Sequence, residues 1–310
     1  MIVLGLSTLT FPSSAKALFG RDAPMVVEIG VGSGRFMEYL ARRRPDLNVL
    51  GIDRAPQSIA RTFRRLQRRE IRNARLLKGD ADWFVRNVLP CEALHRVYVN
   101  FPDPWPRKKH LGRRLLQKSF LRSLSSRLTP EGDVLVTTDH DAYFDFVVRN
   151  AEAAGCFDVD LPRPPCEVLE TKWARKAAVH RHAALRLKHP ASPLKRDVEL
   201  EEAMYHAVVT GNLPDLTAFE KRTFRHGRGV AVLMEVYRPL AGRGFIFLVH
   251  VEEDGLRQDV IVDVREGKQG FVVALRRFGE PLHTRGLSTA VRLITEWLAD
   301  QGMTILHTKY

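Results

Sequence analysis

The chain has 310 residues, is 45% hydrophobic and carries a formal net charge of +13, so it holds enough apolar sequence for one large or two ordinary cores. No run of about 18 apolar residues occurs, which excludes a helical membrane span. Three cysteines without a C-x-x-C pair exclude a disulfide framework and a zinc ribbon, and fit a reducing cytoplasm. The positive excess is one-sided. Residues 191–310 hold 16 Lys and Arg against 16 Asp and Glu, whereas residues 1–190 hold 33 against 20. An anionic partner is therefore expected for the N-terminal part. At the start of the chain, Ala15-Lys16-Ala17 imitates a cleavage site. Ser7, Thr8, Thr10 and Pro12 interrupt the apolar run, and no basic region precedes it, so secretion is not expected.

From Met25 onwards apolar runs alternate with helical patterns. MVVEIG is a predicted buried strand and FMEYLARRR a helix; LNVLGID is a second strand, and Gln57 to Glu70 a second helix. ARLLKG and HRVYVNF follow as strands, Leu115 to Leu128 as a helix, GDVLVTTD as a fifth strand and Ala142 to Ala154 as a helix. AVHRHAALRLK predicts one more strand. This alternation argues for an α/β fold, a mostly parallel sheet with helices on both faces. HPASPLKRD, with two prolines and a change in charge balance, marks a boundary, giving expected domains of 1–190 and 191–310. The second domain is predicted to be a smaller α+β unit. EEAMYHAVV reads as helical, VAVLMEV, FIFLVHV, VIVDV and FVVAL as strands, Leu287 to Asp300 as a helix and MTILH as a last strand.

VEIGVGSGRF joins the first strand to the first helix. Gly30, Gly32 and Gly34 permit a sharp turn and close approach of the backbone to a ligand. A dinucleotide fingerprint would place its third glycine at position 35, which is Arg. The shorter spacing, with Glu28 two residues before the first glycine, resembles the S-adenosyl-L-methionine loop of class I methyltransferases. A sulfonium and an amino group favour such an acid. Asp53 ends the second strand 19 residues after Gly34, a spacing that suits a carboxylate accepting ribose hydroxyls. Asp80 ends the third strand, where the adenine is expected; Asp there also serves as a helix cap, a role open to Asp82 as well.

FPDPWPRKKH, residues 101–110, follows the fourth strand. Its prolines require a shaped loop, and reactive groups of open α/β sheets lie beyond the carboxyl ends of the strands. With VEIGVGSG, GID, GDA, FPDPWPRKKHLGRR, TTDHDAY and ETKWARK in this order, residues 20–185 resemble the bacterial tRNA (guanine-N7)-methyltransferases. The resemblance implies a Rossmann-like class I methyltransferase domain, S-adenosyl-L-methionine as cofactor and tRNA as partner. Asp103 is then the key acidic residue. Arg107 occupies a substrate-binding position, and His110 and Arg113 match positions near the RNA. Asp139, Thr171 and Lys172 also match substrate contacts. Ala174 stands where the family has Glu, which leaves that role to Glu170 or another acid, or alters guanine recognition.

The cations Arg107, Lys108, Lys109, His110, Arg113 and Arg114 read as phosphate ligands. Trp105 either stacks on a base or supports the loop. Seven arginines between Arg61 and Arg75 surround Phe63, Leu66 and Ile71, as a solvated face or an auxiliary RNA contact. His180 and His182 lack an acid or Cys at metal-ligand spacing, so no metal is expected. Other RNAs or small molecules as methyl acceptors, and an RNA-binding protein without catalysis, stay open at this point.

Overall fold

The structure is a computed structural model. It describes residues 2–310 except 166–167, 169–170, 172–179, 194–204, 227–228, 254, 277 and 279–280. The chain divides into two compact units, Met1–Arg196 and Asp197–Tyr310.

The first unit is built on a seven-stranded sheet. Its strands are β1 (Met25–Ile29), β2 (Asn48–Asp53), β3 (Ala74–Lys78), β4 (Leu94–Asn100), β5 (Leu128–Thr138), β6 (Phe157–Asp160) and β7 (Arg181–Leu187). They lie in the order β3-β2-β1-β4-β5-β7-β6. β1 to β5 pair in parallel, while β7 runs antiparallel to both β5 and β6. β1 is buried at every residue, as a strand covered on both faces must be. The helices are α1 (Ala15–Phe19), α2 (Arg35–Arg43), α3 (Pro56–Arg68), α4 (Ala81–Asn87), α5 (Lys118–Ser125) and α6 (Asp141–Ala154). The strand order reverses between β1 and β4. Open sheets of this kind bind ligands at the carboxyl ends of the strands beside such a reversal.

Several boundaries differ from the sequence reading. α3 stops at Arg68 because the chain turns left-handed at Glu70 (φ 52°), and Arg75 belongs to β3. The helix expected over Leu115 to Leu128 is confined to α5; the residues before it form a 3-10 turn, Lys108–Arg113, and an extended stretch.

The second unit is an antiparallel seven-stranded sheet with one long helix. Its strands are β8 (His206–Thr210), β9 (Arg222–His226), β10 (Gly229–Tyr237), β11 (Gly244–Glu253), β12 (Leu256–Gly267), β13 (Gly270–Leu275) and β14 (Thr304–Lys309), and the helix is α7 (Arg285–Asp300). The order is β14-β8-β13-β12-β11-β10-β9. EEAMYHAVV is not a helix where it is described: His206–Thr210 is the strand β8, paired with β13 and β14. Ala207 and Val209 point into the core and alternate with half-exposed neighbours. This two-residue period decides the conformation. Trp297 of α7 is fully buried, with Phe219, Phe245 and Phe247 against its ring.

Candidate active site at the carboxyl ends of the strands

Glu28 is the fourth residue of β1 and is buried to 3% exposure. Burial pushes its carboxyl well above the usual carboxylate range, and the negative charge of Asp53 pushes it further; the nearby Asn100 amide counters part of the rise. Among the described residues Glu28 Oε2 makes no hydrogen bond, nor do the side-chain polar atoms of Asn100 in good geometry. A native interior leaves few such atoms unmatched. These two residues, at the ends of the adjacent strands β1 and β4, thus leave buried polar atoms that a polar ligand group could match.

The glycine loop is fixed before any ligand arrives. Asp53 Oδ2 accepts from the Gly32 N–H at 3.0 Å and Oδ1 from the Ala55 N–H at 2.8 Å, which ties the end of β2 to the loop. Gly30 has φ +85° and open space where a Cβ would stand, a cradle close to the backbone. Gly34 is required by packing: a Cβ there would meet Thr62 Oγ1 of α3 at 2.6 Å. Asp80 is the N-cap of α4, its Oδ1 accepting from the Trp83 N–H at 3.0 Å, while Oδ2 pairs with Arg54. The cap therefore belongs to Asp80; Asp82 pairs instead with Arg86 at 3.1 Å.

Beyond β4 the chain makes a strained loop. Phe101 and Trp105 have φ of 51° and 41°, values that bulky residues rarely adopt, and they bracket Pro102-Asp103-Pro104. Asp103 is exposed. Arg114 holds the loop from beneath: it is 6% exposed, donates from Nε to the Pro104 carbonyl at 2.8 Å, and stacks over Tyr143 at 5.3 Å and Phe146 at 4.8 Å. Arg114 is thus a strut and not the phosphate ligand expected from its place in the basic run. Burial pushes the Tyr143 hydroxyl up, and Asp103 adds to that rise through its charge. Trp105 has Arg113 over its face at 5.2 Å and the His110 ring edge-on at 5.6 Å, contacts that favour the supporting role. Arg107, Lys108, Lys109 and Arg113 are exposed and His110 half-exposed.

Asp139 is exposed immediately after β5, and His140 caps α6 by accepting from the Tyr143 N–H. Thr171 is buried, its N–H donating to the Val168 carbonyl at 3.1 Å. Lys172, Glu170, Trp173 and Ala174 lie outside the described residues. His182 is hydrogen-bonded to Thr137 at 2.7 Å, and His180 packs edge-on against Phe101 at 5.8 Å. The described residues contain no group of three or more His, Cys, Asp or Glu able to hold a metal. Sequence reasoning missed Asn100 and the role of Arg114. A polar residue closing the apolar run VYVN was a signal for the first; the second depends on which way one arginine of a dense run turns.

The topology sets Glu28, the glycine loop, Asp53 and Asp80 at the ends of β1 to β3, with Asp103 and Asp139 beyond β4 and β5. A family model described as "Putative methyltransferase" matches residues 22–174. A protein of Thermus thermophilus named tRNA (guanine-N(7)-)-methyltransferase is 41% identical over 315 residues, covering 99% of this chain and 99% of its own. Proteins of the same name from Deinococcus radiodurans and Thermotoga maritima are 38% and 32% identical, covering 100% and 94% of this chain and 100% and 95% of their own. The chain belongs to the tRNA (guanine-N(7)-)-methyltransferase family.

Proposed function

We infer that the protein methylates N7 of a guanine in the variable loop of tRNA, with S-adenosyl-L-methionine as donor, in the cytoplasm. The observation that carries this reading is Asp103, exposed on a strained, strutted loop beyond β4, the strand that adjoins β1 with its Glu28 and glycine loop.

The residues present fit the donor. Glu28 Oε2, buried and unmatched, suits a cationic hydrogen-bond donor, and the open, positive-φ Gly30 suits close approach of a ligand. Glu28 and the loop Gly30-Val31-Gly32-Ser33-Gly34 would hold the methionine part, Asp53 the ribose and Asp80 the adenine side. The lone pairs that Asp53 leaves beyond its two N–H partners remain available to hydroxyls. When bound, S-adenosyl-L-methionine supplies an electrophilic methyl group on a sulfonium.

Guanine N7 already carries an in-plane lone pair, so no residue need remove a proton before attack. The protein's task is placement and stabilisation of the positive charge that grows on the purine. Asp103 accepts from the guanine N1–H and 2-amino group, and this contact strengthens as that charge develops. Arg107, Lys108, Lys109, His110 and Arg113 face phosphates. Asp139, Thr171 and Lys172 complete the hold on the nucleotide.

Mass spectrometry of nucleosides from tRNA incubated with enzyme and donor tests the reading. 7-Methylguanosine is the expected product. Asp103→Ala should lower turnover about 10²–10³-fold, the scale of a lost transition-state contact, with donor affinity intact. Parental turnover in Asp103→Ala, or label appearing only in another RNA, overturns it.

A further inference from the structure

The arginines around α3 divide into two sets with different surroundings. Arg65 and Arg69 turn towards α2, where Glu38, 8% exposed, accepts from both at 2.9 and 3.1 Å and lies 3.8 Å from Arg42. Arg75 lies over the Phe19 ring at 5.3 Å and donates to backbone carbonyls. These three are accounted for by packing. Arg61, Arg64, Arg68 and Arg72 are exposed, and among the described residues none has an acidic group within 4.0 Å. Arg61, Arg64 and Arg68 recur at intervals of three and four residues, which places them on one helix face over roughly 10 Å. Arg72 follows just past the helix end. No acid lies in the first turn of α3 to offset them.

The row begins beside the donor-binding loop. Thr62, next to Arg61, is buried against Gly34, and Arg65 Nε donates to the Ser33 carbonyl at 3.0 Å. The helix that carries the row thus packs directly on this loop, so a polymer bound at the loop can continue along the helix. Three unneutralised guanidinium groups on one face, with a fourth just past the helix end, repel one another in the free protein, and a polyanion relieves that repulsion. Guanidinium also matches phosphate with two parallel hydrogen bonds.

We propose that Arg61, Arg64, Arg68 and Arg72 form a second RNA surface, which follows the phosphate backbone of the tRNA away from the target guanine. This rests on the tRNA reading given above. The surface adds affinity without taking part in methyl transfer.

The test compares the full-length protein with Arg64→Gln/Arg68→Gln/Arg72→Gln and with Arg64→Glu/Arg68→Glu. Affinity for an unmodified tRNA transcript is measured by fluorescence anisotropy between 50 and 200 mM salt, as about the range over which phosphate contacts dominate. Donor affinity is measured by calorimetry and single-turnover rate at saturating enzyme. The triple Gln variant should bind about tenfold more weakly and lower the slope of log affinity against log salt by roughly 2–3. The double Glu variant should bind more weakly than the parent, while donor affinity and single-turnover rate stay parental in both. Parental slope and affinity in variants that still bind the donor overturn the proposal. A parent protein that does not bind tRNA sinks the functional reading and the row together; a parent that binds and variants that match it sink the row alone.

Discussion

At Glu28 the chemistry depends on a proton. Its carboxyl is raised by burial first and by Asp53 second, so the folded chain holds that proton above the range of about pH 4.3 where the unfolded chain releases it. The stability tied to the bound proton is complete below that range and is lost as pH rises through the raised value. Glu28→Gln removes this dependence. In the donor-free protein, the stability of Glu28→Gln relative to the parent should rise between pH 4 and pH 8, by about 1.4 kcal/mol for each unit of displacement, as measured by denaturant unfolding. Added S-adenosyl-L-methionine should reverse the order, because it stabilises the parent more than the variant. The presence of an acid two residues before Gly30 is legible in the sequence. Its proton is not, because that depends on both covered faces of β1. Asp80 is similar: a carboxylate at a strand end is legible, but its engagement as cap and as partner of Arg54 depends on where α4 begins.

The loop after β4 works as an element because one cation supports it. Arg114 joins the Pro104 carbonyl to the rings of Tyr143 and Phe146 on α6, and its flat guanidinium does what an ammonium cannot. Arg114→Lys should lose about 1–3 kcal/mol of stability, as expected when a buried hydrogen-bonded group is left unmatched, and turnover should fall with donor affinity unchanged. Arg113→Ala, at an exposed site, should keep the melting temperature and weaken tRNA binding. Thermal unfolding and anisotropy separate the two variants. The strand–helix alternation of the first unit is legible because its periods change cleanly at glycine and proline. The antiparallel β7 is legible only as a strand. Its direction, and the short β6 beside it, follow from pairing with β5, a long-range contact that no local pattern encodes. β8 misleads because Glu201, Glu202, Ala203 and Met204 favour helix, whereas its conformation is set by partners on either side.

At the scale of the whole chain, the two units have separate cores. Trp297 fills that of the second, within a cluster that runs from Tyr205 to Met303. Trp297→Ala should cost the second unit about 3–5 kcal/mol. Calorimetry should then resolve two transitions, with the donor raising the one that belongs to the first unit. Four strands of this unit joined by glycine-containing turns, the last helix and the last strand were legible, but their antiparallel pairing was not, and no motif in it speaks of a ligand. Charge divides along the same line. Residues 1–196 carry 35 Lys and Arg against 20 Asp and Glu, and residues 197–310 carry 14 against 16. The excess thus belongs to the first unit alone, so a distant polyanion is drawn to that unit and not to the second. Added salt, by shortening the reach of that pull, should slow capture more than it hastens escape.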